Sequence, residues 1–222
     1  MGGRETLEML VAVSQVNDRN DVKGRILDAA ADLFMERGFA GTTVREIGER
    51  AGVGQSSLYH HARSKGQLLA QLHATFVRDL IGQLEAVVGS QEAPTVQLRG
   101  VVTAMLSMVD THRAVVTVYL RESYALSGQA REEVGQERKK VDSIVDLILK
   151  RGLESGEFRP DLDVHLTRLM ILGMCNWAYQ WYQPNGPHTI AEIGEYFADL
   201  AEAAVFSGRP PKAKRVSGRA RG

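Results

Sequence analysis

The chain has 222 residues, 44% of them hydrophobic and 24% charged, enough for one large domain or for a small one joined to a larger one. Lys and Arg number 27 and so do Asp and Glu, giving zero formal net charge; a globally basic, histone-like coat is excluded, a local basic surface is not. The single cysteine, Cys175, can supply neither an intramolecular disulfide nor a multi-thiolate metal site, which predicts a cytoplasmic protein without a metal centre.

No run approaches the roughly 20 apolar residues that span a bilayer, so no membrane is expected. The stretch Leu7 to Val13 is short and has Glu5 and Glu8 where a secretion signal needs positive charge. Aromatics make up only 6%, alternating strand-like runs are scarce, and Gly and Pro gather at breaks. The composition predicts an all-α fold of about nine helices.

In chain order, residues 1–18 read as a disordered leader. A first helix runs from about Val22 to Arg37, with Ile26, Ala30, Leu33 and Phe34 on one face and Gly38 as its stop. Thr43 followed by Glu46 makes a capping box for a second helix that ends near Ala51, with Gly52 at the turn. A third begins at Gly54 or Gln55 and ends about Arg63. Ser64 with Gln67 repeats the capping pattern and opens a long fourth helix through Leu68, Leu72, Phe76, Leu80 and Leu84 to about Val88. Longer helices follow over Thr95–Asp110, His112–Ser127, Gln129–Ser155, Asp163–Tyr182 and Thr189–Ser207, separated by Gly156, Pro160, Pro184, Gly186 and Pro187. From Arg209 onward, six cations, two prolines and no acid make a basic tail, 209–222, with too little apolar surface to order itself. The expected organisation is a compact three-helix unit at 19–66 and a larger helical body at 67–208.

The segment Thr42 to Gln67, TTVREIGERAGVGQSSLYHHARSKGQ, carries the chemistry. Two short helices joined by a glycine turn, the second with small polar residues at its start, describe a helix-turn-helix whose second helix enters a DNA major groove about 12 Å wide. Ile47, Ala51, Val53 and Leu58 hold the two helices together. Gln55, Ser56, Ser57, Tyr59 and His60 are left to face outward. From Arg19 to His73 there are eight Lys or Arg against six Asp or Glu, so a single copy should hold phosphates weakly and a dimer is implied.

The order A-G-V at Ala51–Val53, L-Y-H-H at Leu58–His61 and S-K at Ser64–Lys65, preceded by ILDAAADLFMERGF at Ile26–Phe39, resembles the TetR family of bacterial one-component transcriptional repressors. The likeness is close over about fifty residues and departs where Gly54 replaces a usual serine and Ala62 a usual phenylalanine. It implies that Thr43 and Lys65 lie at helix N-termini beside the DNA backbone. Tyr59, His60 and His61 are then expected to approach phosphates, and Gln55, Ser56 and Ser57 base edges, with Arg45 reaching a phosphate or a guanine. The partner would be double-stranded operator DNA, read as a palindrome by a homodimer with recognition helices about 34 Å apart.

In the body, Met105, Met108, Tyr119, Tyr124, Asn176, Trp177 and Gln180 combine apolar walls with a few polar groups, the make-up of a ligand site between helices. Trp181, Ile193, Phe197, Ala201 and Ala204 are the expected dimer contacts of the last two helices. The stretch Glu157–Thr189 is similar to sensor domains of actinobacterial TetR-family regulators of fatty-acid or sterol catabolism that respond to acyl-CoA thioesters. The resemblance thus implies release by a small hydrophobic effector. No cofactor motif is present: there is no glycine-rich phosphate loop, no Gly-x-Ser-x-Gly elbow, and adjacent His60 and His61 diverge on a helix and make a poor metal pair. The competing readings are a small-molecule-binding protein or enzyme with a vestigial helix-turn-helix, and a constitutive architectural DNA binder.

Overall fold

The computed structural model describes residues 22–206; the expected leader at 1–18 and basic tail at 209–222 lie outside them. Nine α-helices fill this span: α1 (Val22–Arg37), α2 (Val44–Ala51), α3 (Gln55–His61), α4 (Lys65–Gly89), α5 (Pro94–Thr111), α6 (Arg113–Glu122), α7 (Gly128–Glu154), α8 (Val164–Trp181) and α9 (Ile190–Val205). A 3-10 turn, Ser123–Ala125, follows α6, and among the described residues the only extended pairing is an isolated bridge between Phe158 and Phe206. The expected all-α architecture is what the chain forms. No single helix among the described residues is long and apolar enough to cross a membrane.

Helix ends follow local chemistry. At α2 the Thr43 hydroxyl accepts from the Glu46 amide at 3.3 Å and the Glu46 carboxylate accepts from the Thr43 amide at 2.8 Å, satisfying two orphan donors of the first turn. Gly52 closes the helix in the left-handed region at φ 65, which glycine enters without a Cβ penalty. Ser64 Oγ accepts from the Gln67 amide at 3.2 Å while Gln67 Oε1 accepts from the Arg63 amide at 2.9 Å, so α4 starts on a near-relative of the same device. Thr189 and Glu192 repeat the full box at α9.

The chain divides into two compact units, one of the chain up to Gly82 with Met108–Lys139, the other of Gln83–Ser107 with the chain from Lys140. In the first, α1 packs against α2 and against α6, and Ile26, Leu33, Phe34, Ile47, Leu58, Leu68 and Leu69 are buried at its centre. This unit takes in more than the 19–66 segment: α6 packs on α1, and its Tyr119 meets His73 and Phe76 of α4 and Arg138 of α7. In the second, Arg99 on α5 binds three carboxylates of α9, Asp199 at 2.6 Å, Glu195 at 2.7 Å and Glu202 at 3.0 Å. Arg168 on α8 meets Asp142 and Asp146 of α7 at 2.7 and 3.1 Å. Phe158, almost completely buried, lies against Gly152 so closely that a Cβ there would run into its ring.

Candidate nucleic-acid interface

The recognition frame begins with α2, whose inner face presents Ile47 and Ala51 to Leu58 of α3, all buried. Gly48 is the contact point: a Cβ on it would stand 2.8 Å from Leu58 Cδ2, below any ordinary carbon–carbon separation, so the close crossing of α2 and α3 depends on that glycine. Ala62, at the C-terminal cap of α3, is also buried. Two bridges tie α2 to α1: Arg50 binds Glu36 through both guanidinium nitrogens at 3.2 and 3.0 Å, and Arg37 binds Glu46 at 2.9 Å. Glu36 is held below the usual carboxylate range chiefly by its hydrogen bond with Arg50, and Glu46 chiefly by the Thr43 hydroxyl. Arg37 and Arg50 therefore serve the frame first and add little positive potential.

With Leu58 turned inward, Gln55, Ser56, Tyr59 and His60 are exposed and Ser57 and His61 half-buried. Tyr59 keeps 53% of its surface open, and the His60 and His61 rings stand edge to face with centroids 5.3 Å apart. The set named from sequence therefore lies on one short helix, offering amide, hydroxyl and imidazole groups, which are able to hydrogen-bond. Arg45 is exposed on α2 and pairs with Glu49 at 3.1 Å. Thr43 is exposed, but its hydroxyl is engaged with Glu46.

Lys65 stands at the first position of α4 with its ammonium turned into the protein. It is half-buried, and its ammonium donates to the carbonyls of Phe39 at 2.7 Å and of Ala40 and Thr42 at 3.2 Å, while lying 4.6 Å from the centre of the Phe39 ring. The spacing of motifs gave no sign of this, because the partners are more than twenty residues away along the chain.

The residues expected to line a ligand site differ in exposure. Met105, Met108 and Tyr119 are buried. Tyr124 sits 75% exposed beyond α6, and Asn176, Trp177 and Gln180 lie on the outer side of α8, Trp177 62% exposed. Sequence reading missed instead a buried polar group on α4, His73, which contacts the Tyr119 ring, and Arg138 of α7, whose Nε donates to the Tyr119 hydroxyl at 3.2 Å.

The expected dimer contacts also differ in exposure. Ile193 and Ala201 are buried within their own chain, Phe197 and Ala204 are half-buried, and only Trp181 is open. Because Ile193, Ala198, Ala201 and Val205 turn inward and Glu195, Asp199 and Glu202 reach Arg99, the outer stripe of α9 is Tyr196 and Leu200. On α8 the outer stripe is Leu166, Leu169, Met170, Trp177 and Trp181. Exposed apolar surface of this extent marks an interaction face.

Comparison with known proteins agrees with this geometry. Residues 26–72 match the model described as bacterial regulatory proteins, tetR family, and residues 91–205 the tetracyclin repressor-like C-terminal domain. The HTH-type transcriptional repressor KstR2 of Mycobacterium tuberculosis is 35% identical over 192 residues, covering 86% of this chain and 94% of that protein. The solved structure of the same organism's ketosteroid transcriptional regulator KstR2 superposes with a TM-score of 0.79 at 32% identity, over 84% of this chain and 96% of that one. AibR, solved in complex with isovaleryl coenzyme A and operator DNA, superposes with a TM-score of 0.73 at 26% identity, over 84% and 99%.

Proposed function

The chain belongs to the TetR family of bacterial regulatory proteins, and we propose from that premise that it is a homodimeric transcriptional repressor that binds palindromic operator DNA and leaves it when a small hydrophobic effector binds. The observation that carries the reading is the outward face of α3, where Gln55, Ser56, Tyr59 and His60 are exposed on a frame fixed from behind by Leu58, Ile47 and Gly48. Thr43, Arg45, Ser57 and His61 border that face. On this reading Gln55 pairs with an adenine, and the hydroxyls and imidazoles hold register on the phosphates. The open stripes of α8 and α9 are the surface for the second copy, which a palindromic site requires.

For the effector we propose an acyl-CoA thioester. Support comes from relatives, one named for ketosteroid regulation and one crystallised with isovaleryl coenzyme A. Binding of the effector has to favour one of two protein states over the other, since equal affinity shifts nothing. The relatives are named as transcriptional regulators, and this chain is read as a regulator rather than an enzyme.

The test is selection of a duplex from random sequence by the purified protein, followed by titration with short- and long-chain acyl-CoA thioesters. Salt-dependent binding to a palindrome, weakened by Tyr59→Ala and reversed by a thioester, is expected. A protein that stays a monomer, or that ignores every duplex at low ionic strength, overturns the proposal.

A further inference from the structure

A lysine at the first position of a helix stands at the positive end of the helix dipole, where a cation is disfavoured. Lys65 occupies that place on α4 and has found its compensation inside the protein. Its ammonium has three donors and no acceptor, and three carbonyls receive them: Phe39, Ala40 and Thr42. These oxygens follow the C-terminal end of α1, the negative pole of that helix, and the Phe39 ring adds a cation–π contact. No N–H remains for a DNA phosphate unless the clasp opens.

Resting on the reading of α3 as the DNA-contacting helix, we propose that Lys65 is a positioning residue: it ties the loop between α1 and α2 to α4, and so sets the angle at which α3 is presented and the half-site separation the dimer accepts. The loop it holds is short and already braced, the Thr42 hydroxyl lying 3.0 Å from the Gly38 carbonyl and 3.2 Å from that of Leu33. Thr43, the next residue, caps α2, and α2 carries α3 through the Gly48–Leu58 contact. At its other end α3 is tethered to α4 directly, the Gln71 amide donating to the His61 carbonyl at 3.4 Å. The recognition helix is thus fixed to α4 at both ends, once directly and once through Lys65. Lysine suits the role because three oxygens converge on one point; a planar guanidinium does not reproduce that geometry.

The experiment compares wild type, Lys65→Met and Lys65→Arg by equilibrium binding to a selected operator across a salt series and across operators whose half-sites are moved one base pair closer or apart. Loss of a phosphate contact lowers the magnitude of the slope of log K against log[salt] by about 0.9 per lysine. The proposal expects Lys65→Met to leave the slope unchanged, to bind the best operator roughly tenfold more weakly, and to discriminate less between spacings; a purely structural defect would leave the ranking of spacings intact. Lys65→Arg, which keeps the charge, should not restore the preference. Faster amide exchange in residues 38–43 of Lys65→Met should accompany these changes. A slope reduced by about one per copy, full rescue by arginine, or unchanged exchange in that loop would each overturn the proposal. Should the wild type bind no duplex, the reading of α3 fails, and exchange at 38–43 still decides whether the clasp exists.

Discussion

The His73 imidazole of α4 lies 5.0 Å from the Tyr119 ring of α6, fully buried, with a weak contact to the Val118 backbone in place of a well-formed hydrogen bond at its nitrogens. Burial above all, helped by the nearby Arg138 guanidinium, pushes its pKa down to about 4, so the ring is neutral in the folded protein. A weakly hydrogen-bonded polar group in a core costs stability that an apolar side chain of similar shape does not. His73→Phe is therefore expected to stabilise the protein by about 1 kcal/mol, read as a higher Tm by calorimetry; a lower Tm would mean that the nitrogens are satisfied.

The same residue gives the protein a pH dependence of known sign. Between its unfolded pKa of 6.5 and about 4, the unfolded chain binds a proton that the folded chain refuses. Stability from this group is complete above the upper value and is lost as pH falls towards the lower one, by roughly 3 kcal/mol in all. Urea midpoints measured at pH 7.5 and 4.5 should lie closer together in His73→Phe than in wild type, the difference between the two proteins isolating the histidine from the carboxylates.

At the recognition frame, stability and readout should separate. Thr43→Ala removes the α2 cap and is expected to cost about 1 kcal/mol in denaturant unfolding. Gln55→Ala should leave stability unchanged and cost roughly 1–3 kcal/mol of discrimination at one base position, visible as relaxed preference there when operator variants are compared.

The outer stripes of α8 and α9 predict assembly. Trp177→Glu or Leu169→Glu places a charge in the middle of the exposed apolar face and should turn a dimer into a monomer in light scattering, with DNA affinity falling in step. Surface substitution at Arg45, outside that face, should leave the mass unchanged.

Cys175 is almost completely buried, and burial pushes its thiol up to about 12. Since the thiolate is the reactive form, the native protein should react with a disulfide reagent no faster than it opens, whereas the urea-unfolded chain should react at once.

The legible parts of the fold were those written locally. Capping pairs such as Thr43 with Glu46, and Gly52 at the turn, mark helix ends within four residues, and the helix-turn-helix follows from them. Leu58 was assigned inward and Tyr59 outward because a seven-residue helix has only one side to bury. On α8 and α9 the period is less informative. Both helices are apolar on more than one side, so period alone does not choose which stripe turns inward, and it is the fold that buries Ile193 and Ala201 and leaves Trp177 exposed. Lys65 was beyond reach for another reason: its partners, Phe39 and Thr42, come near only when α1, the loop and α4 are folded together.

Gly152 and Phe158 form a pair that neither position can leave alone. A methyl group at 152 has no room while the aromatic ring stays, and a smaller side chain at 158 opens a void beside the glycine. Among distant cousins of this sequence the two sites should therefore drift as a couple, bulk appearing at the first only where the ring has been given up at the second.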